Sequence, residues 1–157
     1  MNVWYSLSDI PGNEASVVTI GNFDGMHNGH KKVVSTCIER AHKLGVDAVA
    51  ITFDPHPIQV HKPEVGLQLI SPLRDRLDAM AAAGLDATLV AHYDASVYSL
   101  EPEEFVYEYL VERCGAREVV VGEDFRFGRG NAGTIDTLRE LGSRYGFGVI
   151  TVTDIEA

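Results

Sequence analysis

Residues 17–30 read VVTIGNFDGMHNGH. Val17 to Ile20 form a short apolar β run, and Gly21, Gly25 and Gly29 punctuate the turn after it. Val33, Val34, Cys37, Ile38, Ala41 and Leu44 then recur at helical spacing until Gly45. A strand that enters a helix through a glycine-rich turn brings a ligand close to the backbone, and the free N–H groups of the first helical turn attract phosphate oxygens. Two common phosphate devices are excluded by spacing, because the stretch is neither GxxxxGK followed by Ser or Thr nor GxGxxG.

His27 and His30 stand three residues apart where this helix begins, so both can face the strand ends. There, imidazoles can donate to a phosphoryl group or neutralise charge on it in a transition state. The pair also suits polar helix capping or two zinc ligands, although no third ligand such as a nearby Cys is spaced to complete a tetrahedral site. Asp24 and Asn22 suit an Asx-type turn as well as they suit a substrate, and Phe23 between them suits a wedge into the core.

Outward from this stretch, strand and helix patterns alternate. Further strands are predicted at Ala48 to Phe53, apolar on both faces as a parallel strand covered by helices should be, and at Ala87 to Ala91, Glu118 to Val121 and Phe147 to Val152. Ser71-Pro72 opens a helix striped by Leu73, Leu77 and Met80 and closed by Gly84. Ser99 or Glu101, with Pro102, opens another with Phe105, Val106, Tyr109 and Leu110 on its inner face. Thr134 caps a last one bearing Ile135, Leu138, Leu141 and Tyr145. Five strand–helix alternations with right-handed crossovers give an α/β fold with a parallel sheet and helices on both faces. The lead-in, residues 1–16, reads as an arm with a turn at Pro11-Gly12, pinned by Trp4 and Tyr5.

The 157 residues suit one domain, with ordinary apolar and charged content. Thirteen Lys plus Arg against 23 Asp plus Glu leave a formal charge of −10, which disfavours nucleic acid as a partner. A phosphorylated substrate then needs local cations, backbone N–H groups or a divalent metal. Cys37 and Cys114 read as buried thiols of a reducing compartment. With no signal-peptide pattern and no apolar run long enough to span a bilayer, no membrane partner is expected and the cytoplasm is the expected location.

Two more stretches carry chemistry. Residues 54–70, DPHPIQVHKPEVGLQLI, hold three prolines and are expected to be irregular through their first half. Thr52 to Pro57 would suit a planar ring ligand or form a structural plug. Tyr93, Asp94 and Tyr98 are available on a second loop, His92 to Leu100, at the same sheet edge. Strand Glu118 to Val121 runs into GEDFRFGRG, where acidic residues could hold a divalent ion and Arg126 and Arg129 could pair with phosphates, or where the chain makes a solvated, charged turn.

Together, GNFDGMHNGH (21–30), TFDPHP (52–57) and VVGEDFRFGRG (120–130) closely resemble the N-terminal FMN adenylyltransferase module of the bacterial bifunctional riboflavin kinase and FAD synthetase. GxFDxxHxGH alone resembles the wider HxGH nucleotidyltransferase superfamily. The resemblance spans essentially the whole chain, including SLSDIP and SLEPEEFVYEYLV.

The resemblance implies a Rossmann-like, HUP-type three-layer sandwich with a five-stranded parallel sheet, and transfer of AMP from ATP to FMN with Mg2+. His27 and His30 match the family's phosphate-contacting, catalytic histidines. Gly21, Asn22, Phe23, Asp24 and Gly29 fall on the ATP side, and Phe53, Pro55, His56 and Pro57 near the flavin. Asp124, Phe125, Arg126 and Phe127 match the loop that closes on substrates or metal, with Asp124 as the metal ligand.

Residues 1–157 would then be this module with an incomplete C-terminal end. An SSTxxR-like element expected after Ile155 to Ala157 is absent, as is the riboflavin kinase domain to which the module is normally linked. Weak nucleotide binding, with slow turnover or none, is expected of a chain that ends there. Met26 and Asn28 depart from the family's commoner choices with little expected consequence.

Overall fold

A computed structural model gives the fold and describes residues 1–23, 28–64 and 72–153. Six strands, β1 (Asn2–Trp4), β2 (Ser16–Ile20), β3 (Asp47–Asp54), β4 (Ala87–His92), β5 (Ala116–Gly122) and β6 (Gly148–Val152), form one sheet in the order β1-β4-β3-β2-β5-β6. Every neighbouring pair is parallel. The helices are α1 (Asn28–Leu44), α2 (Pro57–His61), α3 (Leu73–Ala83), α4 (Ala95–Tyr98), α5 (Pro102–Phe105) and α6 (Ile135–Tyr145), with α5 running on as a π-helical stretch over Val106–Arg113.

Five strands were expected and six are present among the described residues. The extra one, β1, comes from the lead-in arm. Three residues carry no readable alternation, and the strand exists because Asn2, Val3 and Trp4 register against Ala87, Thr88 and Leu89 of β4. Trp4 packs on the core as expected of an anchor, whereas Tyr5 is 60% exposed.

Alternate strand residues face two separate helical layers. Val18, Ile20, Val49, Ile51, Leu89, Val119 and Val121 pack against Phe105, Val106, Leu110, Leu138 and Leu141. Val17, Ala48, Ala50 and Val120 pack against Val33, Val34, Cys37 and Ala41 of α1 and Met80 of α3. Both faces are thus covered, which is why the strands read as continuous apolar runs.

Helix ends follow their local chemistry. Thr134 Oγ1 accepts from Thr137 N at 3.3 Å, and Glu101 caps α5 in a reciprocal box with Glu104. Gly84 and Gly146 close α3 and α6 with left-handed backbones. The proposed Ser71 cap lies outside the described residues. Two stretches expected to be irregular contain short helices. In α2, Pro57 occupies a first-turn position where its missing N–H costs nothing, and His56 and Gln59 form a capping box. In α4, Asp94 caps the turn by accepting from Ser96 N at 2.9 Å.

Candidate active site

The chain leaves β2 towards β3 and β4 on one side and later returns to β5 and β6 on the other, so the sheet order reverses between β2 and β5. A crevice opens at such a switch point, outside the carboxyl ends of the strands. Two cavities of about 550 Å3 and 290 Å3 lie there, and both are lined by Ile20, Gly21, His30, Asp124 and Phe125.

The larger cavity is aromatic. Phe53 at the end of β3, Tyr93 and Tyr98 around α4, Phe105 of α5, and Phe125 and Phe127 after β5 surround it, with Asn22, Pro57, Arg126 and Asn131 supplying polar or rigid wall. Its rings are fixed by one another. Phe125 and Phe127 stack with centroids 5.5 Å apart and planes 12° apart, and Phe53 meets Tyr93 edge-on at 5.8 Å. His61 Nε2 lies 2.8 Å from Tyr93 Oη and its ring abuts Tyr98 at 4.9 Å. Burial pushes the Tyr93 phenol up, with Tyr98 adding to the effect, so it stays protonated at neutral pH.

The smaller cavity reaches Phe23, Val33 of α1, Glu123 and Val152 at the end of β6. It lies against the opening turns of α1, whose first turn carries no acidic residue. Phe23 takes φ 53° and is 1% exposed. A bulky residue in the left-handed region is held by its surroundings, here the His30 ring edge at 5.8 Å and the backbone of Gly21, where a Cβ would stand 3.2 Å from the Phe23 ring. Asn22 Oδ1 is buried with no hydrogen-bond partner among the described residues, a polar atom available to a ligand.

The loop after β5 is built rather than loose. Phe127 and Gly133 exchange two backbone hydrogen bonds, Phe127 N to Gly133 O at 3.1 Å and Gly133 N to Phe127 O at 2.8 Å. Gly133 is needed because a Cβ there would come within 2.7 Å of the Phe127 ring, and Gly128, at φ 79°, would collide with Pro102.

The fold thus brings together Gly21, Asn22, Phe23, His30, Phe53, Pro57, Asp124, Phe125, Arg126 and Phe127. Gly29 sits in the first turn of α1. Pro55 follows a cis peptide bond from Asp54, and His56 caps α2 with Nδ1 accepting from Ile58 N at 3.1 Å; neither lines the cavities. His27 and Asp24 lie outside the described residues. Phe105, expected only as core, also lines the larger cavity. Arg76 of α3 was not anticipated: it is 2% exposed and reaches Asn22 and Phe53 from beneath. Its sequence signal is a cation at the i+3 position of the Leu73, Leu77, Met80 stripe.

A doubly wound parallel sheet with an aromatic chamber and a helix-start chamber at its switch point places a ligand site where open α/β sheets carry one. A family model described as FAD synthetase matches residues 9–157, and the chain belongs to that family.

Among curated relatives, a putative bifunctional riboflavin kinase/FMN adenylyltransferase of Geobacillus thermodenitrificans is 40% identical over 83% of this chain and 68% of its own length. The bifunctional enzyme of Escherichia coli K12 is 32% identical over 92% of this chain and 46% of its own length, so the chain spans about half of that relative. A crystal structure described as a macrolide-efflux protein from Streptococcus pneumoniae superposes with a TM-score of 0.82 at 26% identity, covering 99% of this chain and 52% of that one. Pantothenate synthetase from Thermus thermophilus gives 0.62 at 14% identity over 100% of this chain and 63% of its own, a likeness of fold alone. Among the described residues no helix is long and apolar enough to cross a membrane.

Proposed function

We propose that residues 1–157 act as an FMN adenylyltransferase domain, transferring the AMP group of ATP to FMN and releasing pyrophosphate. The observation that carries this reading is the pair of cavities meeting at Gly21, His30, Asp124 and Phe125, one walled by aromatic rings and one set at a helix start. Stacking suits a flavin ring in the first, and backbone N–H groups suit nucleotide phosphates in the second.

In the proposed reaction an FMN phosphate oxygen attacks the α-phosphorus of ATP. The new O–P bond forms as the bond to the bridging oxygen breaks, and pyrophosphate leaves. The FMN phosphate is ionised at neutral pH, so no general base is required. The protein's task is to align the two substrates and neutralise charge developing on the α-phosphoryl group. His30, at the junction of the cavities, and His27 take that role in this reading. Gly21, Asn22, Phe23, Asp24 and Gly29 take the ATP side, Asn22 while also lining the aromatic cavity, and Phe53 and Pro57 line the flavin side in one segment with Pro55 and His56. Asp124, Phe125, Arg126 and Phe127 close the junction.

Mg2+ is the proposed metal. The described residues hold no group of three His, Cys, Asp or Glu side chains suited to a metal, but exposed Glu123 and Asp124 stand at the rim of the cavities. One or two carboxylates fit an ion held mainly by water and substrate phosphates. When bound, Mg2+ would offset charge on the transferring phosphates, a help to a chain of net charge −10. The bifunctional relatives are also riboflavin kinases by name, a chemistry that supplies FMN. A reducing cytoplasm is the proposed setting, supported by two buried free thiols.

The test mixes the chain, in excess over FMN so that slow transfer is seen, with ATP and Mg2+, and separates the flavins. FAD and pyrophosphate in equal amounts are expected. AMP transfer to another phosphorylated acceptor with FMN ignored would move the reading to a different nucleotidyltransferase, and flavin binding without transfer would reduce it to a binding module.

A further inference from the structure

Arg76 lies beneath the wall of the larger cavity at Asn22 and Phe53 and itself lines neither cavity. Its Nη1 donates to Asn22 O at 3.0 Å, to Thr52 Oγ1 at 3.2 Å and to Phe53 O at 3.3 Å. Thr52 Oγ1 in turn donates to Asn22 O at 3.1 Å. Asn22 belongs to the turn after β2, and Phe53 to the end of β3 where the chain enters the Asp54-Pro55-His56-Pro57 loop. One nitrogen therefore ties together the two segments that the proposed function assigns to different substrates.

The guanidinium is poorly neutralised for a group so buried. Its ion pair with Asp54 is long, at 3.6 Å, and Asp54 is itself 45% exposed; Arg76 Nε is buried with no hydrogen-bond partner among the described residues. Holding a charge there is costly unless its hydrogen bonds do something an apolar residue could not. A Leu or Met at this stripe position would fill the space, but it could not hold two carbonyl oxygens in fixed places.

We propose that Arg76 is a positioning residue for the transfer reaction, setting the turn at Asn22 and the segment at Phe53 in one fixed relation so that the two bound substrates meet in line. The assignment rests on the proposed function only for which substrates are aligned. All three contacts come from one nitrogen, so the three-proton ammonium of a lysine is the nearest substitute that keeps a donor beneath these oxygens.

The test compares Arg76→Met, Arg76→Lys and the near-isosteric Thr52→Val, which removes only the bridging hydroxyl. Hydrogen exchange by mass spectrometry should show peptides over Gly21–Phe23 and over Phe53–Pro57 losing protection together in Arg76→Met, while β4 and β5 are unchanged. The single-turnover rate of FAD formation should fall about 30-fold or more, as expected when reacting groups shift by a fraction of an ångström to one ångström. FMN affinity, read from flavin fluorescence, should change less than about threefold, the mark of lost alignment rather than lost binding.

Arg76→Lys should regain most of the lost rate and protection, and Thr52→Val should show a milder form of both defects. If Arg76→Met does not fold, Thr52→Val and Arg76→Lys carry the test. Loss of protection in one segment alone, Lys no better than Met, or a fall in rate explained by FMN affinity would each overturn the proposal. If the wild-type chain makes no FAD, the functional reading fails, and the exchange data still decide whether Arg76 couples the two segments.

Discussion

At the residue scale, His30 sits where the two cavities meet, so its removal should harm the reaction more than the binding. His30→Ala should lower the single-turnover rate about 100-fold, the usual loss for one donor aimed at developing charge. FMN affinity should stay within about threefold, as flavin fluorescence would show. The two cysteines give a separate check. Burial pushes both Cys37 and Cys114 up to about 12, so at pH 8 neither is a thiolate. A thiol reagent should label the native chain only as fast as it unfolds, and rapid stoichiometric labelling would show that these thiols are not inside. His30, Gly21 and Asn22 were legible in sequence because the strand–turn–helix signature fixes their place. Arg76 was not: RDRLD reads as a solvated charged face, and only the carbonyls of Asn22 and Phe53, distant in sequence, give the arginine a reason to be inside.

At the scale of elements, the loop from Gly122 to Gly133 decides whether the aromatic chamber exists. Gly133→Ala should displace the Phe127 ring, because the new Cβ would lie 2.7 Å from it. FMN affinity should drop about tenfold or more with loss of one ordered stacking surface, a change readable in flavin quenching. An unchanged affinity would remove Phe127 from the flavin wall. Thr134→Ala in the same segment strips the cap of α6 and should cost about 1 kcal/mol of stability, measured by urea unfolding. Helices with caps and apolar stripes were readable from the chain alone. Strand β1 and helix α2 were not, the first because three residues have no period to read, the second because three prolines nearby mask a helix that places Pro57 in its first turn.

At the scale of the molecule, α1 is tied to β5 by a bidentate pair, Arg40 Nε and Nη2 donating to the Glu118 carboxylate at 2.7 and 2.6 Å. The hydrogen bond from Arg40 holds the Glu118 carboxyl below its ordinary value of 4.5. A lowered acid contributes stability that is present above the unfolded value and is lost as pH falls through the folded one. The chain should therefore lose thermal stability below about pH 4.5, and Glu118→Gln should flatten that part of the profile while lowering the neutral-pH Tm; an identical acid limb would show that the pair does not act. The three-layer architecture was legible because both faces of every central strand are apolar. The strand order, and with it the crevice between β2 and β5, depends on pairings that no single stretch declares.

The most direct measurement of the central claim is flavin chromatography after the chain, in excess, meets FMN, ATP and Mg2+. FAD and pyrophosphate should appear in equal amounts, at a rate that falls sharply in His30→Ala. FMN recovered unchanged from wild-type chain that binds both substrates would contradict the account.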